Sequence, residues 1–387
     1  MGDYYQRSVD MHERLRGKIG IANKIPVQNN DDLSIAYTPG VARPCELIAE
    51  DPSKARSLTI KHNSVAVVSD GSAVLGLGNI GPLAAIPVME GKALLFKEFA
   101  NIDAWPICLE TQDTEEIVET VRRVAPVFGG INLEDIAAPR CFAVEDRLQD
   151  LGIPVFHDDQ HGTAVVLLAA LINASKVLSR SLVQMTVVIS GAGAAGSAIA
   201  KLLTGRGGQS ASIVKDVIVC DSRGAIQSLR KDLSPEKIEL VNCTNETGRQ
   251  GMLHEVLKGA DVFIGVSKAG LLAADDVRVM ARDPIILAMA NPEPEIMPDE
   301  AMKGGAAIVG TGRSDFPNQV NNVLVFPGVF RGALDAEATA INDAMKMAAA
   351  VALADAVSNP SVDEILPAPL DRSVAPKVAE AVRIAAK

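Results

Sequence analysis

Val187-Val188-Ile189-Ser190-Gly191-Ala192-Gly193-Ala194-Ala195-Gly196 reads as a β-branched strand that enters a glycine turn and opens a helix of small and aliphatic residues. Its G-x-G-x-x-G spacing carries meaning only in that strand-to-helix context. There the first glycine makes the turn, the second lets backbone approach a pyrophosphate, and the third lets the helix pack on the strand. The helix N-terminus supplies partial positive charge and unpaired N–H groups for the phosphates. The next strand, Val217-Ile218-Val219-Cys220, ends in Asp221, an acid placed to hydrogen-bond adenosine ribose hydroxyls. Gly191, Gly193, Ala194, Ala195, Gly196 and Asp221 are therefore candidate dinucleotide-binding residues, with Gly205–Ser212 read as a loop insertion.

Outward from this unit the alternation continues. Thr186–Ser190, 217–221, Val262–Val266, Pro284–Ala290 and Ala306–Val309 read as strands, and Ala194–Leu203 and Met252–Lys258 as helices. Upstream, Ser64–Ser69, Ile102–Leu109, Gly130–Ile136 and Ile153–Phe156 read as strands around helices Thr114–Val127 and Pro139–Leu151. Acids open the first of these helices, and Pro139 suits the first turn of the second. The opening forty residues read as a helix and an arm. An apolar helix follows Thr163 to about Leu178, and an Ala-rich helix runs from Asp335 to about Ser358, with a short last helix after the proline-marked segment Pro360–Pro376. Strands alternating with helices call for right-handed crossovers and parallel sheets. The expected fold is α/β in two domains, each with a mainly parallel sheet and flanking helices, the C-terminal one Rossmann-like. The boundary falls between 1–157, a substrate and metal domain, and 158–387, a nucleotide domain.

Composition narrows the function. The chain has 387 residues, 48% of them apolar, which suits two sizeable cores. A net charge of −11 and 3% aromatics argue against nucleic acid as partner. The five cysteines (45, 108, 141, 220 and 243) are scattered and odd in number, which fits a reducing cytoplasm. The polar N-terminus has no signal-peptide core, and the greasy run Ala164–Ile172 is too short to span a bilayer, so no membrane is expected.

Two carboxylate pairs stand at strand ends: Glu134-Asp135, and Asp158-Asp159 within Phe156–Thr163. Hard divalent cations take such oxygen ligands. Glu134, Asp135 and Asp159 are candidate ligands of Mg²⁺ or Mn²⁺, with Asp158 behind them. His157 and His161, four apart, make a weaker zinc alternative. Lys92 lies at the edge of an apolar run, where desolvation would depress its pKa and make it usable as a base. Tyr37 precedes Pro39-Gly40, Asn291-Pro292 follows a strand, and Asn321-Asn322 precedes Val323–Pro327. Both asparagine motifs are expected where strand ends meet a ligand crevice. A second G-x-G-x-x-G, Gly76-Gly78-Gly81, runs into Pro82 and reads as a backbone loop, Leu75–Gly81, near the site.

Taken in order, Tyr37–Ala42, Ser69–Gly78, Gly91–Ala93, Asn132–Asp135, Phe156–Thr163, Gly191–Gly196, Asn291-Pro292, Asn321-Asn322 and Phe326–Gly328 resemble the malic enzymes of the short bacterial type over nearly the whole chain. The resemblance implies oxidative decarboxylation of L-malate to pyruvate and CO₂ with reduction of NAD or NADP and dependence on Mg²⁺ or Mn²⁺. It implies Lys92 as general base for the C2 hydroxyl, Tyr37 as the acid at C3 of enolpyruvate, and Asn291 and Asn322 on the malate carboxylates, with Asn291 also at the cofactor. It further implies a homodimer, with Phe96-Lys97-Glu98 as a contact candidate. The arginine that larger relatives carry in the stretch matching Asp70–Gly76 is missing here, which leaves the carboxylate clamp unassigned. Asp221 argues for NAD by repelling a 2′-phosphate, whereas Arg223 could clamp one. Alternatives are malolactic conversion of malate to lactate and a metal-independent amino-acid dehydrogenase.

Overall fold

The computed structural model describes residues 2–74, 76–205 and 211–387. Leu75 and most of the expected 205–212 insertion lie outside the described residues. Four strands form the first sheet: β1 (Ser64–Ser69), β2 (Asp103–Cys108), β3 (Gly130–Leu133) and β4 (Val155–His157), all parallel in the order β2-β1-β3-β4. Six form the second: β5 (Thr186–Ser190), β6 (Asp216–Asp221), β7 (Gly224–Ala225), β8 (Val262–Gly265), β9 (Ile285–Ala288) and β10 (Ile308–Thr311), in the order β10-β9-β8-β5-β6-β7. Only β7 is antiparallel. Chain direction reverses its march across this sheet between β5 and β8, the position at which doubly wound sheets open a ligand crevice.

Register levels the strand ends. Leu133 of β3 lies opposite both Val68 of β1 and His157 of β4. The residues that follow, Glu134-Asp135 and Asp158-Asp159, are thereby set side by side at one edge of the first sheet. β3 stops earlier than the hydrophobic run suggests because Asp135 adopts a left-handed conformation, φ 54°. After β4 the chain makes a π-helical turn, Asp158–Gly162, before the regular helix Thr163–Leu178. Such turns recur at functional sites. Together they form an apolar stretch of 21 residues, longer than the run marked in the sequence and long enough to cross a bilayer. Ten residues between Ala164 and Ala174 are buried, however, so it serves as a core helix packed on several sides.

The helix Pro82–Ala100 covers β1 and β2, burying Ala85, Met89, Ala93 and Phe96 at helical spacing. Phe96 packs edge-on against Phe326 and Phe330, at centroid distances of 4.7 and 5.3 Å, and Phe330 meets Phe156 at 5.9 Å. Of the expected contact candidates, Phe96 is thus internal, whereas Lys97 and Glu98 stay about half exposed in ion pairs with Asp103 and Arg372. The aromatic contacts belong to one continuous core that takes residues from both sheets and from the last helices. The Ala-rich helix expected from Asp335 to about Ser358 is shorter, Asp343–Asp355, and a separate helix, Phe326–Asp335, ends where that run was expected to begin. Asn342 breaks the run, its side chain accepting the Met345 N–H as an N-cap at 3.0 Å. Met252–Lys258 contracts to Leu253–Val256 for a similar reason, with Glu255 folded back on the Met252 N–H. By contrast, the N-terminal helices Gly2–Leu15, Asn30–Ala36 and Ala42–Glu50 bury none of their described residues, and Tyr4, Tyr5, Ile21 and Ile35 stand exposed.

Candidate active site

The helix Pro82–Ala100 aims Lys92 at the level edge of β3 and β4. Its ammonium lies 2.8 Å from Glu134 Oε1 and 2.5 Å from Asp158 Oδ2, with all three side chains buried. It also sits 4.1 Å from the Phe326 ring centroid, a cation–π contact on its apolar side. Burial alone would pull the lysine down, as expected from the sequence. The charges of Asp158 and Glu134 outweigh it and hold the ammonium above its ordinary value, so without further charge nearby Lys92 is protonated. This reverses the sequence reading of a depressed lysine; the partners that reverse it are distant in the chain.

Glu134, Asp135 and Asp159 each bring an oxygen within 4.8 Å of the others. Asp159 Oδ2 accepts the Asp135 N–H at 2.8 Å, and Glu134 Oε2 accepts from Asn132 at 2.8 Å. Burial pushes the Glu134 carboxyl well above the usual range; Lys92 opposes the rise and the neighbouring aspartates add to it. Burial likewise raises Asp158, against the pull of Lys92. Asp158 Oδ1 is buried and has no hydrogen-bond partner among the described residues. So many oxygens around one lysine fit a hard divalent cation better than they fit each other.

Asn322 donates from Nδ2 to Asp158 Oδ2 at 3.1 Å, which brings it to the same cluster. Its chain is not a strand end, as expected, but a 3₁₀ turn, Asn322–Leu324, capped by the Asn321 side chain and leading into the helix Phe326–Asp335. Asn291 stands beyond β9. A Cβ on Gly76 would fall 2.6 Å from the Asn291 carbonyl oxygen, so the first glycine loop rests on this segment, close to the crevice as read. Tyr37 is elsewhere: it is 66% exposed and its hydroxyl makes no hydrogen bond among the described residues. His161 is committed to Glu145, which also accepts the His157 N–H at 3.0 Å and Gln160 Nε2 at 2.9 Å. Glu145 therefore ties down the π-helical turn. Its carboxyl is held at about 2, burial being outweighed by the histidines. Nothing in the local sequence of Glu145 marked it.

Gly191, Gly193 and Asp221 line a cleft of about 790 Å³ with Ser190, Ser267 and Lys268 from the second sheet and Ala138, Pro139 and Phe142 from the first half. The helix Ala194–Thr204 opens on it, and Ala194, Ala195 and Gly196 form its first turn. Gly196 is obligatory there, since a Cβ would lie 1.8 Å from the Gly191 carbonyl oxygen. Asp221 is saturated. Arg230 grips both its oxygens at 2.8 and 3.0 Å, Lys237 adds 2.6 Å and the Arg223 N–H 2.9 Å. These bonds overcome burial and hold its carboxyl at about 2. The Arg223 side chain is turned away onto Asp232. Arg230 and Lys237 escaped the sequence reading because no fingerprint position marks them.

Against known proteins, the family model of the malic enzyme N-terminal domain matches residues 16–149, and that of the malic enzyme NAD binding domain matches residues 160–387. A bifunctional malic/malolactic enzyme of Bacillus subtilis (strain 168) is 56% identical over 385 residues, 98% of this chain and 92% of that protein. An NAD-dependent malic enzyme of Geobacillus stearothermophilus is 56% identical over 379 residues, 97% of this chain and 77% of that one. The crystal structure of an NAD-dependent malic enzyme from Thermotoga maritima superposes with a TM-score of 0.93 at 46% identity, covering 97% of this chain and 98% of that one.

Proposed function

The chain belongs to the malic enzyme family, and on that footing we propose that it oxidatively decarboxylates L-malate to pyruvate and CO₂ while reducing NAD or NADP. The observation that carries the reading is a lysine buried between Glu134 and Asp158, beside three carboxylates that converge on one point. Glu134, Asp135 and Asp159 would hold Mg²⁺ or Mn²⁺, which when bound supplies Lewis-acid polarisation of the substrate oxygens. A dinucleotide on the Gly191–Gly196 turn would supply the hydride acceptor.

Lys92 is positioned by Glu134 and Asp158, the latter held in turn by Asn322, and takes the proton of the C2 hydroxyl. To do so it must be neutral at that stage. A dication beside the same carboxylates would cancel the charge that now holds its proton, and burial then works in favour of the free amine. Asn322 and Asn291 would orient the substrate carboxylates. Tyr37 would protonate C3, but it lies in the exposed N-terminal arm. We therefore infer a homodimer in which the partner subunit covers this arm and completes the site. The apolar side chains exposed there, and a tyrosine hydroxyl with no partner among the described residues, support that arrangement. Five free cysteines support a reducing, cytoplasmic setting.

The test is absorbance of reduced nicotinamide after adding L-malate and Mn²⁺, with NAD and NADP in parallel and with EDTA as control. Metal-dependent reduced cofactor with equimolar pyruvate is expected. Lactate without reduced cofactor would favour malolactic conversion, a second reading prompted by the name of the Bacillus relative. Neither product would sink the proposal. For the dimer, light scattering should give twice the mass of 40.6 kDa. Mixing Tyr37→Phe with Lys92→Ala protein should restore activity if the two residues meet across the interface.

A further inference from the structure

Glu295 is fully buried and belongs to neither cluster described above. Its Oε1 accepts the Ser267 N–H at 2.9 Å and its Oε2 accepts the Ala290 N–H at 3.0 Å. Those residues follow β8 and β9, the neighbouring strands on one side of the switch point. Ser267 lines the dinucleotide cleft, and its hydroxyl lies 3.1 Å from that of Ser190, where β5 enters the glycine turn. Ala290 immediately precedes Asn291. Two backbone bonds thicken the link: Gly270 N–H to the Pro294 carbonyl at 3.1 Å, and Leu272 N–H to the Glu295 carbonyl at 3.0 Å.

We propose that Glu295 is a positioning residue that locks the cofactor wall at Ser267 to the substrate-side asparagine at Asn291, so that each ligand's binding favours the other's. The inference rests on the function proposed above. A carboxylate is the side chain this role requires. Both neighbours are N–H donors, so the group between them must be acceptor-only; a glutamine amide would set donor against donor on one side. Among the described residues no lysine or arginine pairs with Glu295. Its charge is held by backbone N–H groups alone, an arrangement that burial disfavours and that geometry must justify. The chain also clears space for it. A Cβ on Gly265 would lie 2.3 Å from the Glu295 carboxyl carbon, so the glycine that ends β8 admits the carboxylate against the sheet.

A loop tie of purely structural value would lower stability and leave the two sites independent. A positioning tie makes a different prediction. The experiment measures the Kd of NADH by fluorescence on the intact protein, with and without saturating L-malate and Mn²⁺, for wild type and Glu295→Gln. Wild type should show at least fivefold tighter NADH binding when malate is present. Glu295→Gln should bring that ratio within twofold of one, change the Kd without malate less than threefold, and lower kcat more than it raises the KM for dinucleotide. A Glu295→Gln protein that keeps the wild-type ratio overturns the inference, whatever its melting temperature. If that variant does not fold, Gly265→Ala displaces the same carboxylate by contact and carries the same two outcomes. A wild type that turns over malate but shows no coupling overturns this inference alone; one that does not turn over malate removes the function beneath it as well.

Discussion

Replacing Lys92 by methionine tests the site at its most charged point. The side chain keeps its length and loses one cation from a cluster of four carboxylates, Glu134, Asp135, Asp158 and Asp159. In the structure that cation makes two contacts, 2.8 Å to Glu134 and 2.5 Å to Asp158, with side-chain exposures of 10%, 7% and 0% for the three groups. Stranding one partner of a buried pair typically costs ~3–5 kcal/mol. The two contacts share a single ammonium, so their losses do not add. For domains of this size each kcal/mol moves Tm by roughly 2–4 °C, which places the metal-free variant about 6–20 °C below wild type. The raised carboxylates answer partly by taking up protons, which pushes the result toward the lower end. Calorimetry in EDTA reads the loss directly. Adding Mn²⁺ should stabilise the variant more than wild type, because the dication meets an uncompensated cluster. The double variant Lys92→Met with Asp158→Asn should recover part of the loss. Malate oxidation should fall by about 10²–10⁴ if Lys92 is the base. A metal-free Lys92→Met protein within ~0.5 kcal/mol of wild type, the size of an ordinary surface change, would refute the buried-pair reasoning.

Other outcomes follow from single residues. Gly196→Ala should abolish dinucleotide binding, since its Cβ would fall 1.8 Å from the Gly191 carbonyl oxygen; titration calorimetry showing unchanged NADH affinity would count against that turn as the site. Lys237→Ala should weaken NADPH more than NADH, because this half-exposed ammonium at the cleft wall is the group a 2′-phosphate would meet; equal losses would remove it as the discriminator. Asp221 has its carboxyl lowered from 3.8 to about 2 by Arg230 and Lys237, so its contribution is complete above about pH 4 and is lost as pH falls toward 2. Asp221→Asn should thus narrow the gap to wild type in acid, as followed by circular dichroism between pH 6 and 2. Asn173→Leu should lower stability by about 2–6 kcal/mol, since its amide serves the buried carbonyls of Ala354 at 2.8 Å and Ile365 at 3.0 Å, and each orphaned acceptor costs ~1–3 kcal/mol. Urea denaturation would show whether it does.

Much of this was legible in the sequence because it depends on local pattern. The strand and glycine turn at 187–196, the acids after β3 and β4, and the alternation of elements follow from periodicity and from which residues can make a turn. What stayed hidden depends on partners far apart in the chain. Lys92 reads as a candidate for depression until Asp158 and Glu134 arrive from other elements to reverse the balance. Asp221 reads as a free ribose acceptor until Arg230 and Lys237 fill its oxygens. Glu145 carries no local mark because its partners His157, Gln160 and His161 lie more than ten residues away, and Glu295 carries none because its partners are backbone N–H groups and backbone has no letter. The late start of the helix expected from Asp335 shows the reverse limit: alanine continuity masks a cap at Asn342 that depends on one asparagine.

The aromatic cluster has a consequence for how the protein is made. Phe96 and Phe156 belong to the first half of the chain, yet the rings they pack on, Phe326 and Phe330, leave the ribosome more than 150 residues later. The helix Val374–Ala385 that backs Phe326–Asp335 comes later still, close enough that Val378 would touch a Cβ on Gly328 at 2.7 Å. During synthesis the first sheet therefore waits with an uncovered greasy face until the final helices emerge. A fragment ending before Phe326 should aggregate or recruit chaperones, and the loss of a few C-terminal turns should be felt at the opposite end of the chain.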